Sequence, residues 1–153
     1  MTLSSDEYAD SSDSQLLQQI KSTRWEKLRC VLKSPDGRAM AKKPDVYGNL
    51  PLHAAIGYKA PDDVILEILR IHPQATREHG TDYWLPLHVA AMWGTSPEVL
   101  EAIIREYPLA LDDVGEPGIK GRTPRHFSDR FKHNKELLER PTSEWVRLVG
   151  LDY

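Results

Sequence analysis

The chain has 153 residues, with 40% hydrophobic and 28% charged side chains and a formal net charge of −3. This composition is typical of a globular domain, and the small negative charge provides no global attraction to nucleic acid. No apolar run approaches the ~20 residues of a membrane helix, so we expect no membrane span. Cys30 is the only cysteine, which excludes an internal disulfide and favours the reducing cytoplasm or nucleus.

Residues 1–13 alternate serines with acidic side chains and contain almost nothing to bury. We therefore expect a disordered acidic leader. A solvated tail is the simplest interpretation. The alternative is a phosphorylation-tuned or partner-binding segment, because added phosphates would deepen an existing negative charge.

Residues 14–44 predict an N-terminal capping module of two short helices. Leu16 to Ile20 forms the first, and apolar residues that recur at three- and four-residue steps predict the second from about Thr23. Cys30 is expected to be buried or half-buried in the apolar stripe of that second helix. The sequence Ser34-Pro35-Asp36-Gly37 predicts a turn that ends it.

The next two segments, 45–79 and 80–118, are copies of each other. Leu50-Pro51-Leu52-His53 recurs as Leu85-Pro86-Leu87-His88, 35 residues later, together with its flanking alanines and apolar positions. Each copy predicts a short helix opened by proline and closed by glycine, then a second amphipathic helix that ends before a proline. The pairs Asp62-Asp63 and Asp112-Asp113 are interpreted as helix caps or loop residues.

A partial third copy, Gly121-Arg122-Thr123-Pro124-Arg125-His126, follows after an insertion. The pattern then degrades, so residues 119–153 predict a degenerate C-terminal repeat that acts as a cap. A helix is expected to begin near Thr142. Its apolar residues should cover the last exposed face of the core: Trp145, Val146, Leu148 and Val149.

Two matching copies and a partial third resemble the ankyrin-repeat family, whose modules open with Thr-Pro-Leu-His. Leu50 and Leu85 stand where that family has threonine, and the spacing of 35 residues exceeds the usual ~33. The resemblance implies an all-α ankyrin-repeat solenoid of helix–turn–helix modules with short hairpin loops. It would contain about two full repeats between degenerate capping modules.

The resemblance also implies binding positions at the hairpin tips and the exposed ends of the first helices. Several are aromatic or arginine, the types enriched at interface centres. We therefore expect a non-catalytic module, monomeric when isolated, that binds a partner protein. The alternatives are a structural subunit permanently buried in a larger assembly and, for Trp84 and Trp93, packing within the fold. The expected positions are Tyr47, Asn49, Tyr58, Asp82, Trp84, Met92, Trp93, Lys120, Arg122, Arg130 and Phe131.

His53 and His88 recur at the same place in each copy, so we interpret them as parts of the module that hydrogen-bond to turn backbone. A catalytic site would need His88 to meet Cys30 or a carboxylate. The remaining histidines have no cysteine or carboxylate partners at zinc spacing. We expect no catalytic residue, metal or cofactor.

The C-terminal third is more basic than the rest, with eight Lys or Arg against five acids between residues 115 and 147. A solvated face is the simplest explanation. Attraction to an acidic partner, including the chain's own leader, is the next. Nucleic acid is not expected, because no reading motif accompanies the charge.

Overall fold

The computed structural model describes residues 12–115 and 121–150, and the chain divides into two compact units, Met1–Ala75 and Thr76–Tyr153. Every regular element in the described ranges is helical, which confirms the expected all-α class. Within those ranges no helix has the length and apolar character needed to cross a membrane. Residues 1–11 of the predicted leader, and Lys120, lie outside the described residues.

The first unit contains five helices: α1 (Gln15–Lys21), α2 (Trp25–Leu32), α3 (Pro35–Met40), α4 (Pro51–Gly57) and α5 (Asp62–Ile71). Helix α1 packs against α2 and α4, while α2 also packs against α3 and α5. The apolar stripes predicted for these helices form the core. Its fully buried side chains include Leu16, Leu17, Ile20, Leu28, Leu52, Ile56 and Ile68.

The turn predicted at Ser34-Pro35-Asp36-Gly37 is wrong, because these residues begin α3. The Ser34 hydroxyl accepts the Gly37 N–H at 3.0 Å, and Pro35 takes the first helical position. Serine and proline favour helix starts as well as turns, so the pattern is ambiguous. A Cβ at Gly37 would overlap the carbonyl of Val31. Glycine therefore permits the close approach of α3 to α2.

Cys30 is exposed, so its predicted place in the apolar stripe is wrong. Leu28 and Leu32 are buried one turn apart on α2. A residue midway between them points to the opposite side of the helix. Cys30 is that residue, and its thiol therefore faces solvent.

A buried ion triad joins the start of α1, its end and the turn before α4. Lys21 Nζ lies 2.9 Å from Asp13 Oδ2 and 3.1 Å from Asp45 Oδ2, and the three side chains are 7%, 0% and 3% exposed. Burial alone would lower the pKa of Lys21, but its bonds to both carboxylates raise it. Asp13, which the sequence assigns to the acidic leader, is therefore part of the packed structure.

The second unit contains helices α6 (Pro86–Trp93), α7 (Pro97–Glu106), α8 (Lys135–Glu139) and α9 (Thr142–Val149). Between them lie 3₁₀ turns at Thr81–Tyr83, Pro108–Asp112, Pro124–Phe127 and Lys132–Asn134. Helix α6 packs against α7 and the Pro124–Phe127 turn, while α9 packs against α7 and the Pro108–Asp112 turn. Ser96 caps α7 by accepting the Val99 N–H at 3.2 Å, and serine is a preferred residue at this position.

The closing helix behaves as predicted at Trp145 but not at Leu148. Trp145 is fully buried, whereas Val146 and Val149 are half-buried and Leu148 is exposed. Helix α9 packs on α7 and the Pro108–Asp112 turn, and Trp145 is its buried residue. The prediction that Leu148 covers the core is therefore wrong.

The aspartate pairs lie where expected, at the start of α5 and at the end of the Pro108–Asp112 turn, but the residue that precedes α5 is Pro61, which has no side-chain cap bond. Helix α5 begins at Asp62 after Pro61, and Asp63 accepts two bonds from Arg29, at 2.8 and 3.0 Å. Both acids still lie in the first turn of α5, where the helix dipole favours negative charge. Asp112, in the second unit, accepts a bond from Arg125 Nε at 3.1 Å.

Candidate functional site

Each repeated histidine caps the N-terminus of its own helix by accepting a backbone N–H. His53 Nδ1 accepts the Leu50 N–H at 3.2 Å, and His88 Nδ1 accepts the Leu85 N–H at 3.0 Å. These N–H groups precede the first helical turn and need an acceptor that the helix does not supply. The predicted bond from histidine to turn backbone is confirmed in both copies.

The second ring nitrogen of His88 is also engaged. Nε2 lies 2.9 Å from the carbonyl oxygen of Asp113. Because Nδ1 accepts a hydrogen bond from the Leu85 N–H, the neutral ring carries its own proton on Nε2, and this N–H donates a hydrogen bond to the Asp113 carbonyl. Burial lowers the pKa of His88, despite the opposing effect of neighbouring carbonyl groups. Neither nitrogen of this ring is available to act as a base.

Unfolding of the chain should become easier as the pH falls below about 6.5, the ordinary pKa of histidine. The pKa of His88 is lower in the folded chain than in the unfolded chain, so the unfolded ring takes up a proton first as the pH falls. His88 therefore contributes stability that is fully present above that value. This contribution is lost as the pH falls toward the lowered pKa of the folded state. Urea unfolding between pH 7.5 and 5.5 should show a smaller decline for His88→Asn than for the wild type. His126→Asn, which changes an exposed histidine, should keep the wild-type decline; equal slopes in all three chains would contradict the prediction.

Asp45 and Asp113 organise the turns in the same way, which the sequence analysis missed. Asp45 Oδ1 accepts the Tyr47 N–H at 2.9 Å, and Asp113 Oδ1 accepts the Gly115 N–H at 2.9 Å. The other oxygen of each carboxylate meets a basic side chain, Lys21 at 3.1 Å or His79 at 3.0 Å. The insertion before the third motif changes the distance from aspartate to proline, and so hides the correspondence in the sequence.

The first turn presents apolar side chains to solvent. Tyr47 is 71% exposed, and its neighbour Val46, which sequence reasoning did not select, is also exposed. Tyr58, at the end of α4, is exposed, whereas Asn49 is half-buried and donates its N–H to Asp45. Of the expected binding residues in this unit, Tyr47 and Tyr58 are the accessible aromatic ones.

The second turn is tighter and presents Tyr83. Asp82 and Tyr83 have φ values of 60° and 58°, and the Trp84 N–H donates to the Thr81 carbonyl at 3.1 Å. Two consecutive left-handed residues define the turn type that closes tight hairpins. This conformation is costly for an aromatic residue, and such strain is concentrated at functional sites. Asp82 is exposed as expected, and the exposed Tyr83 is an addition.

Trp84 is engaged in packing. Its ring is stacked on the imidazole of His88 at 5.7 Å and meets Phe127 edge-on at 5.7 Å. Trp84 is half-buried, and it covers one side of His88. For this residue the structure shows the packing alternative. Trp93, by contrast, is 46% exposed at the end of α6.

The remaining expected residues of the second unit meet at the end of α6. Arg130 Nε donates to the Met92 carbonyl at 2.9 Å, and the Phe131 ring lies against Gly94. Trp93 lies between these two contact points in the chain. Arg122 is exposed. The structure therefore brings together Met92, Trp93, Arg130 and Phe131.

No family model matches this chain, and no curated protein matches it significantly. Among the described residues, no group of three or more His, Cys, Asp or Glu is placed to hold a metal ion. Support for a function therefore comes from the residues of the chain itself.

Proposed function

We propose that the chain is a non-catalytic protein-binding module of the ankyrin-repeat type. The observation that carries the proposal is the set of exposed aromatic side chains at turn tips and helix ends: Tyr47, Tyr58, Tyr83 and Trp93. The ankyrin resemblance implies binding through turn tips and helix ends on a concave surface. Large aromatic side chains contribute much of the binding energy at protein interfaces.

The different positions of repeated and varied residues, buried in the module and exposed on its surface, support the ankyrin assignment. Residues common to the two copies build the module: proline starts the helix, histidine caps it, and Leu52 or Leu87 is fully buried. Residues that differ, such as Tyr58 and Trp93, are exposed. Repeat proteins use this separation to keep one scaffold while they change the partner.

One observation favours binding over catalysis, and another favours a reducing compartment. Both nitrogens of His88 are occupied by backbone groups, so this ring has no free base to offer. The single cysteine, Cys30, is exposed, and an exposed thiol persists best in the cytoplasm or nucleus.

A triple variant tests the proposal: Tyr47→Ala, Tyr58→Ala and Trp93→Ala in the full chain. Capture of partner proteins from a lysate should fall by about tenfold or more, because interface aromatics carry much of the affinity. The free energy of unfolding should change little, since exposed substitutions usually have small effects. Trp84 is left in place because its removal would open a cavity beside His88.

The matched control replaces three other exposed apolar side chains of the second unit by alanine: Leu109, Val114 and Leu148. Capture should be retained in this variant. Undiminished capture by the aromatic variant, or an equal loss in the control, would locate the interface elsewhere.

The second candidate function is a structural subunit that is permanently buried in a larger assembly. The exposure of Leu109, Val114 and Leu148, outside the turn tips, favours it. Size-exclusion chromatography of the isolated full chain separates the two. A monomer supports a transient adaptor, whereas aggregation supports the buried subunit.

A further inference from the structure

Residues 130–134 are fastened across the end of α6. Arg130 Nε donates to the Met92 carbonyl at 2.9 Å, and Asn134 Nδ2 donates to the Thr95 carbonyl at 3.0 Å. His133 Nε2 lies 3.2 Å from the same Thr95 oxygen. Carbonyls at the end of a helix lack intrahelical partners and carry the negative end of the dipole, so such donors stabilise them. The segment is therefore held in place by the helix that it covers.

The ring of Phe131 completes this attachment. Gly94 has a φ of +85°, and a Cβ at this position would overlap three ring carbons of Phe131. Glycine is needed here both for the left-handed backbone and for the room that the ring occupies. Arg130 and Phe131 consequently have fixed positions beside Trp93.

Positive charge is concentrated on this segment. Residues 129–135 include three basic side chains and one acid, and that acid, Asp129, pairs with Lys135 at 2.6 Å. Arg130 and Lys132 are exposed, and no carboxylate of the described ranges forms an ion pair with either. Their charges are available to a ligand.

Two other arginines of the basic third are used within the fold. Arg125 pairs with Asp112 at 3.1 Å and also donates to the carbonyls of Leu138 and Arg140. Arg140 pairs with Glu136 through both Nε and Nη2. Within residues 129–135, the positive charge without an ion-pair partner is therefore carried at Arg130 and Lys132.

The end of α6 thus combines exposed aromatic area with two cations. Trp93 offers an anchor, and the Arg130 guanidinium lies 5.9 Å from the Phe131 ring centroid. Because Nε of Arg130 is held by Met92, its two Nη groups remain to donate to one carboxylate. Such charge-assisted pairs are stronger and more directional than neutral hydrogen bonds.

We propose that this surface, Met92, Trp93, Arg130, Phe131, Lys132 and His133, binds an acidic peptide segment of a partner protein. An aromatic or aliphatic side chain of the peptide packs on Trp93, and flanking carboxylates pair with Arg130 and Lys132. The assignment rests on the proposed protein-binding function and specifies the chemistry of its ligand.

Two other assignments fit less well. A groove of about 610 Å³ is lined by Lys132 together with two further cations and three glutamates, and these charges cancel within the groove. On this surface, nucleic acid would meet only two cations without an ion-pair partner, and the chain has a net charge of −3. Non-specific nucleic-acid binding depends on several phosphate contacts.

The test uses a fluorescein-labelled dodecapeptide in which Glu and Asp flank a central Trp, and a matched peptide with Gln and Asn instead of the acids. The full chain should bind the acidic peptide about tenfold more tightly than the neutral one in fluorescence anisotropy. The variant Arg130→Gln with Lys132→Gln should lose about tenfold in affinity for the acidic peptide. Trp93→Ala should weaken both peptides.

The matched control is Lys42→Gln with Lys43→Gln, which removes the same charge from two exposed lysines of the first unit. It should keep wild-type affinity, and an equal loss would reveal non-specific attraction and overturn the assignment. Tighter binding of a fluorescein-labelled oligouridylate than of the acidic peptide would also overturn it, in favour of nucleic acid. So would tighter peptide binding after Asp6→Asn, Glu7→Gln and Asp10→Asn, because the chain's own leader would then be the occupant.

The peptide assignment can fail while the proposed function stands. If neither peptide binds but lysate capture is still lost in the Tyr47, Tyr58 and Trp93 variant, the chain binds proteins of a different chemistry. If the acidic peptide binds in the expected way while that variant captures normally, the surface at the end of α6 is separate from the main interface.

Discussion

Replacing Lys21 by methionine is expected to lower the free energy of unfolding by about 3–5 kcal/mol. The variant keeps the apolar stem but removes the charge that Asp13 and Asp45 share in a buried site. Two carboxylates are then left without their cation where water solvates them poorly. Asp45 also holds the backbone of Tyr47 and Asn49, so the first turn should loosen as well.

Urea unfolding at neutral pH measures this effect. Lys27→Met, which changes an exposed lysine of α2, is the control and should shift stability by no more than about 0.5 kcal/mol. Adding Asp13→Asn to Lys21→Met should recover part of the loss, because one of the two uncompensated charges disappears. Similar stabilities for Lys21→Met and Lys27→Met would show that the triad contributes little.

Replacing Trp145 by alanine is the second large expected effect, at about 3–5 kcal/mol. The indole is fully buried, donates from Nε1 to the Leu137 carbonyl at 3.3 Å, and lies under the Arg140 guanidinium at 4.7 Å. Helix α9 has only eight residues, too few to be stable in isolation. Its helical state therefore depends on packing, both through Trp145 and against α7 and the Pro108–Asp112 turn.

Circular dichroism and urea unfolding of Trp145→Ala should show both a loss of helix and a lower midpoint. Leu148→Ala changes an exposed residue of the same helix and should cost less than about 1 kcal/mol. If the two variants lost equal stability, the burial of Trp145 would not be what anchors α9.

The helix starts were predictable because local chemistry determines them. Pro51 and Pro86 mark their helices, and Ser96 caps α7 as its sequence indicates. The start of α3 was not predictable, because Ser-Pro-Asp-Gly suits a turn and a helix start equally. Which of the two forms depends on how closely α3 approaches α2 at Gly37. Cys30 was misplaced because two residues along a helix rotate a side chain by about 200°, which places Cys30 opposite the buried Leu28 and Leu32.

The candidate site was predictable in composition but not in arrangement. Trp84 and Trp93 look alike in the sequence, yet only Trp84 meets Phe127, which comes from the partial third copy. Arg130 reaches Met92 across a separation of 38 residues, and no local pattern encodes that contact. The buried triad likewise joins residues from three separate segments.

The contact between Gly94 and Phe131 couples the substitutions that these two distant positions can tolerate. The ring occupies the volume that any side chain at position 94 would need. An orthologue that gains a bulkier residue there must therefore carry a smaller one at position 131, or lose the contact of residues 130–134 with the end of α6. Paired substitution at these sites is an evolutionary signature that an alignment of related sequences would display.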